Sequence, residues 1–266
     1  AIGTVVGALT VGKALPYLIK ALGGATLGSV VTSTSVAGWL AALVVFLTYN
    51  DGPFPFERRP FAWSRIVRIL RHRETMLATG GYLGHMWELY AMWTWAPAFL
   101  AFCASGRVGS TSVDMAAFAA IAAGGLGCVW GGFAADRIGR AKVVNLAMGV
   151  SGVCCVAIGF LMSAPFWIIA AVMVVWGFFV VADSAQFSAM VTEVAPEDSV
   201  GTALMLQTSL GFLLTMVTIQ ALPIAVTKVG WGWAFTVLAL GPAFGISRIR
   251  RLVRLRSVAS PAVNTA

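Results

Sequence analysis

Apolar runs of about 20 residues recur along this chain, each as long as a helix needs to be to cross the hydrocarbon of a bilayer. They lie near Ile2 to Leu22, Gly28 to Tyr49, Met76 to Cys103, Val113 to Ala135, Val143 to Ser163, Phe166 to Phe187, Val200 to Val226 and Trp231 to Ser247. Hydrocarbon offers no partner to a backbone N–H or C=O, so a spanning segment must satisfy its own hydrogen bonds, as a helix or within a closed barrel. Barrel strands would alternate apolar and polar residues over about ten positions, and these runs do not alternate. The expectation is an all-α membrane protein with about eight transmembrane helices. Composition agrees: 59% of the residues are hydrophobic and only 11% charged, too little charge to cover the surface of a water-soluble chain of 266 residues.

The formal charge of +8 does not point to nucleic acid, because the basic residues sit at the ends of apolar runs instead of forming one patch. Arg65, Arg68, Arg71 and Arg73, with Arg58 and Arg59 before them, precede the third run; Arg137, Arg140 and Lys142 follow the fourth; Arg248, Arg250, Arg251, Arg254 and Arg256 follow the last. The alternate connections carry only Lys20, Arg107 and Lys228. Positive charge is retained on the cytoplasmic side, so the first group of connections, Ala1 and the C-terminus are expected there. The acidic turn with Glu193, Glu197 and Asp198 falls on the same side, which the rule tolerates because acids weigh little in it. The chain opens with Ala1 directly in an apolar run, without the basic leader of a signal peptide, and is expected to be a fragment.

The longest polar interruption, from Asn50 to Thr75, reads as a linker. Its first part, Asp51-Gly-Pro-Phe-Pro-Phe56, is rich in turn residues. The second part places Trp63, Ile66, Val67 and Leu70 on one helical face against Arg65, Arg68 and Arg71, the pattern of a helix lying in the headgroup plane.

Gly132 to Lys142 reads Gly-Phe-Ala-Ala-Asp-Arg-Ile-Gly-Arg-Ala-Lys. Glycines permit a tight reversal, and Asp136 is placed to neutralise Arg137 or Arg140. This turn resembles the signature cytoplasmic loop of the major facilitator superfamily of transporters. Gly132, Asp136, Arg137, Gly139 and Arg140 match that pattern, while Ala141 stands where a second basic residue is usual and Lys142 follows one place late. The resemblance implies a helical bundle in which the signature turn joins the second and third helices after a long central linker. On that alignment the chain corresponds to helices five to twelve, N-terminally truncated. Residues 1–49 would be the last two helices of the N-terminal bundle, 50–75 a cytoplasmic amphipathic linker, 76–247 the C-terminal six-helix bundle and 248–266 a basic cytoplasmic tail. The stretch from Gly81 to Trp95 resembles the seventh helix of bacterial members related to nitrate and cyanate permeases. What the resemblance implies is secondary transport of a small solute across a bacterial inner membrane by alternating access between two bundles.

Ionisable groups in a bilayer are functional candidates by default, since each costs several kcal/mol unless it faces a polar cavity or finds a partner. His85 and Glu88 are three residues apart on neighbouring turns of the third run, in mid-bilayer. Asp183, with Gln186 nearly a turn beyond, and Gln207 lie in the cytoplasmic halves of their runs, and Lys13 lies near the middle of the first. A carboxylate beside a His that titrates near neutrality suits a proton carrier, so protons are the expected coupling ion, and Lys13 would favour an anionic substrate. Trp87 and Tyr90 are deep enough to touch substrate or simply to pack, whereas Trp93 and Trp95 fall toward the interface. The resemblance implies that the runs holding His85, Glu88 and Asp183 line the central cavity.

Ala123, Gly127, Gly131 and Ala135 repeat at every fourth position, as do Gly3 and Gly7, and small-residue stripes of this kind let helices approach closely. With two His in the chain, one of them His72 in the linker, neither a zinc triad nor a di-iron set can be assembled, and no Gly-x-Ser-x-Gly elbow occurs. Cys103, Cys128, Cys154 and Cys155 read as membrane-packing residues. No metal, cofactor or enzymatic activity is expected; the alternative to a transporter is a polytopic sensor or a membrane enzyme with an unrecognised site.

Overall fold

The computed structural model describes residues 2–23, 26–50, 52 and 62–259, which are almost wholly helical with no strand among them. Ten α-helices follow in order: α1 (Ile2–Ala21), α2 (Leu27–Thr48), α3 (Trp63–Arg71), α4 (Arg73–Ala104), α5 (Ser110–Ile138), α6 (Arg140–Phe160), α7 (Phe166–Ala182), α8 (Ser184–Val194), α9 (Val200–Ala234) and α10 (Leu240–Ala259). Among the described residues, 6 stretches are long and apolar enough to cross a membrane: α1, α2, α5, α6, α7 together with α8, and a last one from Glu197 to Val258 that holds both α9 and α10. This fits an integral membrane protein. Ala1, Asp51, Arg58, Arg59, the Pro-Phe-Pro-Phe turn and the last residues of the tail lie outside the described residues.

Two boundaries differ from the sequence pattern. The run from Phe166 to Phe187 is two helices, because the helix breaks at Asp183 between α7 and α8. The run from Trp231 to Ser247 is not one helix either: α9 is interrupted at Gly230, whose φ of 76° suits glycine alone, and a 3₁₀ turn over Phe235–Ala239 leads into α10. Helix α10 then continues through the basic tail to Ala259. Ile249 and Leu252 are buried on its inner face, and that burial holds the arginine-rich segment helical.

Helix packing follows the small residues. A side chain at Gly127 would meet the Phe178 carbonyl oxygen at 2.1 Å, and one at Gly131 would meet that of Ala182 at 2.0 Å, so this stripe of α5 is the seat of α7. One step round the helix, Gly125 and Cys128 face Gly7 and Gly3, so α1 packs directly on α5. Lys20 and Asp114 close the same pair of helices with an ion pair at 3.1 Å. Helix α2 touches α1 and carries no buried residue.

The amphipathic segment forms α3 and meets α4 at the single residue His72, whose Nδ1 accepts from the Thr75 amide as an N-cap. Ile69 is buried and Ile66 half-buried against the bundle, while Trp63, Val67 and Leu70 are exposed. Arg68 holds the helix to the α8–α9 turn through Asp198 at 2.8 Å.

Candidate functional site

Helix α4 supplies the centre of the site. It has 32 residues, and Glu88 lies near its midpoint, about 24 Å from either end at 1.5 Å per residue. Glu88 is buried and accepts three hydrogen bonds from two other helices. Trp176 Nε1 of α7 donates at 2.6 Å and Cys155 Sγ of α6 at 3.2 Å, both to Oε1, while Ser151 Oγ of α6 donates at 3.0 Å to Oε2. Ser151 has a second acceptor within reach, the carbonyl of Met148 at 3.2 Å. This hydroxyl can therefore point to the carboxylate or away from it without losing a hydrogen bond.

His85, one turn earlier, engages different groups from Glu88. Its Nδ1 lies 3.0 Å from Asp183 Oδ1 and its Nε2 lies 2.9 Å from Ser184 Oγ, so the imidazole bridges α4 to the break between α7 and α8. His85 and Asp183 are both buried. The approach to Asp183 is off the line of a hydrogen bond, and Oδ1 has no other donor among the described residues. Rings of Tyr82 and Phe187 flank the imidazole, with centroids at 6.1 and 5.3 Å. The helix break is what makes this arrangement: it places an acid and a hydroxyl on successive residues at the start of α8, both beside one His.

Gln186, on the first turn of α8, donates from Nε2 to the Gly131 carbonyl at 3.2 Å and accepts from Arg140 Nη1 at 3.0 Å. Arg140 also reaches Glu193 at 2.7 Å. The Arg of the Gly132–Lys142 turn is thus neutralised by α8. Asp136 has no ion pair among the described residues, contrary to the expectation that it would neutralise Arg137 or Arg140. Glu193 is long enough and close enough to take Arg140, and Asp136 is left at the open end of α5.

The remaining candidates divide. The Lys13 ammonium stands 4.3 Å above the Tyr90 ring and 5.1 Å from that of Trp93, joining α1 to α4 by cation–π contacts, and the Lys13 residue is otherwise exposed. Tyr90 also stacks on Phe212 of α9. Gln207 is buried with neither amide atom partnered among the described residues. Trp87 turns away from this group: its Nε1 donates to the Val237 carbonyl at 3.1 Å and its side chain packs on Gly241. Trp93 is buried, and its Nε1 has no acceptor among the described residues. Trp95 donates to the Ile219 carbonyl at 3.0 Å.

Four partners escape a reading of the sequence: Ser151, Cys155, Trp176 and Ser184. A mid-span Trp was the available signal, since an indole N–H buried in hydrocarbon needs an acceptor and a carboxylate is the best one in reach. No group of His, Cys, Asp and Glu able to hold a metal occurs among the described residues. Compared with family models and with curated proteins, the sequence matches none.

Proposed function

We propose that this chain belongs to a proton-coupled secondary transporter of the major facilitator type, its helices corresponding to the fifth through twelfth of that architecture, and that it moves a small, anionic solute by alternating access. One observation carries the reading: a carboxylate at the middle of α4, fully enclosed, with a donor that has a second place to go. When Glu88 is ionised, Ser151 donates to Oε2. When a proton arrives on Oε2, the Ser151 hydrogen turns to the Met148 carbonyl and its oxygen accepts from Glu88. Both protonation states keep every buried group satisfied, which a purely structural carboxylate does not require.

Three further observations support it. His85 lies between a carboxylate and a hydroxyl, 3.0 Å from Asp183 Oδ1 and 2.9 Å from Ser184 Oγ, so a buried acid and imidazole stand side by side one turn from Glu88. The helix break at Asp183 is an interruption of the kind from which transporters build solute sites. The Lys13 ammonium, held over the Tyr90 and Trp93 rings, sets a cation beside an aromatic surface where α1 meets α4, a combination suited to an anionic solute. The positive charge of the Gly132–Lys142 turn and of the basic connections favours a cytoplasmic C-terminus, and the membrane we propose is a bacterial inner membrane.

In the full-length transporter, Glu88→Gln should abolish proton-driven accumulation and leave solute exchange largely intact, since Gln keeps the shape and loses the titrating proton. Accumulation with unchanged pH dependence in that variant, at normal expression, makes Glu88 a structural residue.

A second reading has one observation in its favour. Ser184, His85 and Asp183 stand in the order of a serine hydrolase triad, hydroxyl to Nε2 and acid to Nδ1. Two features weigh against it: the acid is out of line with the ring N–H, and its Oδ1 and the Ser184 hydroxyl come from adjacent residues around one imidazole. Covalent labelling of Ser184 by a fluorophosphonate, lost in His85→Gln, would favour the enzyme.

A further inference from the structure

A cleft rimmed by basic residues lies elsewhere, at the end of the bundle that carries the Gly132–Lys142 turn. It encloses about 690 Å³ between the α5–α6 turn, the end of α8 and the outer half of α10. Lys142 contributes from α6, and Arg250 and Arg254, one turn apart, from α10. None of these three has a carboxylate partner among the described residues. The other charges lining the cleft are largely spent: Arg140 is paired with Glu193, Arg256 lies 3.8 Å from Glu74, and Asp136 alone remains as a free acid.

Two features distinguish the cleft from a merely solvated basic surface. Its walls are mostly apolar, and Ile138 and Val253 stay exposed at 46% and 45% beside the cations. Asn145 lines it with a buried amide oxygen that no donor among the described residues reaches. A half-turn of that amide presents two N–H donors at the same point, so an oxygen-rich anion in the cleft would satisfy it. Cations at the rim, an amide donor within and exposed aliphatic walls together fit a phosphate group carrying hydrocarbon. Basic pockets between helix ends at a membrane surface bind such headgroups.

We propose that the cleft between the α5–α6 turn and α10 is a binding site for the phosphate group of an acidic phospholipid, with Lys142, Arg250 and Arg254 as its cations. The site depends on membrane embedding and on none of the residues assigned to proton coupling. The test uses native mass spectrometry of the delipidated chain in detergent with phosphatidylglycerol, phosphatidylcholine or inorganic phosphate.

Replacing the three together, Lys142→Gln with Arg250→Gln and Arg254→Gln, should weaken phosphatidylglycerol binding by about tenfold or more, since all three cations of the cleft are lost. A control of equal charge outside the cleft, Arg107→Gln with Lys228→Gln and Arg251→Gln, should leave it within about twofold, because none of these residues lines the cleft. Arg254→Gln alone, at an exposed position, should give a smaller loss of the same kind and is informative even if the triple variant expresses poorly. Equal losses in the two triple variants would mean diffuse attraction and no site. Phosphatidylcholine bound as tightly as phosphatidylglycerol would mean an apolar groove. Inorganic phosphate bound with the same sensitivity to the variants, and displacing the lipid at equal concentration, would mean a soluble anion as the occupant.

Discussion

Helices α2 and α4 are both long enough to span a bilayer, and they are built in opposite ways. Helix α2 has no ionisable residue and no buried one; α4 carries Arg73, Glu74, His85 and Glu88 and buries more of its length than any element of the first half of the chain. By apolarity alone α4 is not counted among the spanning stretches, yet it lies at the centre, with α5, α7, α9 and α10 around it. The difference shows how polarity is distributed in this protein. Against lipid a helix gains nothing by burying its apolar side chains and must only avoid unpaired polar groups, which α2 does by carrying no charge and turning hydroxyls such as those of Thr34 and Thr48 onto its own backbone carbonyls. A helix that carries a carboxylate and an imidazole has to be surrounded by donors, so its polar groups force its burial.

The comparison can be broken most severely through the glycines. A side chain at Gly177 of α7 would meet the Ala120 carbonyl at 1.6 Å, and backbone cannot withdraw. Gly177→Leu should destabilise the bundle by about 3 kcal/mol or more, read as loss of the monodisperse peak in size-exclusion chromatography. A protein that tolerates this change would not have the α5–α7 seat described above.

The next effect is at the carboxylate. Glu88→Ala removes the acceptor of Trp176 Nε1 and leaves that N–H buried, which should lower stability by about 2 kcal/mol in a detergent melt. Glu88→Gln keeps an acceptor and should lose about half as much or less by the same account. Equal losses in the two variants would show that the carboxylate shape, and not its hydrogen bonds, holds α4 to α6 and α7.

Arg140→Gln should matter less. Its pair with Glu193 is open to solvent on both sides, so screening leaves about 0.5 kcal/mol, and high salt should erase the difference between variant and parent. A salt-independent loss would assign the effect to the hydrogen bond with Gln186. At the small end, Gly38→Leu on α2 meets open space and should leave the melting temperature unchanged, the counterpart of Gly177→Leu on the exposed helix. A marked destabilisation there would reveal a partner on that face.

How much of this was legible beforehand depends on the range of the interaction. Apolar runs of spanning length need no knowledge of neighbours, and their helices follow from the backbone's need for internal hydrogen bonds; α1, α2, α5 and α6 lie where the pattern puts them, within a turn. His85, Glu88 and Asp183 were visible for the same reason, because a charge in an apolar run is conspicuous whatever surrounds it. The small-residue stripe on α5 was visible as a close-approach surface, though not that α7 takes one side and α1 the next.

What the sequence by itself determined is therefore the all-helical class, the segments apolar enough for a membrane and the polar residues that must find partners. The tertiary structure alone decided who those partners are. His85 goes to Asp183 and Ser184 and not to Glu88, Glu88 goes to Trp176, Ser151 and Cys155, and Arg140 goes to Glu193 and not to Asp136. It also decided that the chain breaks at Asp183, that α10 runs on through the basic tail, and that Ile69 is the residue by which α3 is held. The physical reason is that a helix's periodicity fixes which residues share a face, while the rotation of each helix about its own axis is set by the fit of glycine seats and bulky side chains on several neighbours at once.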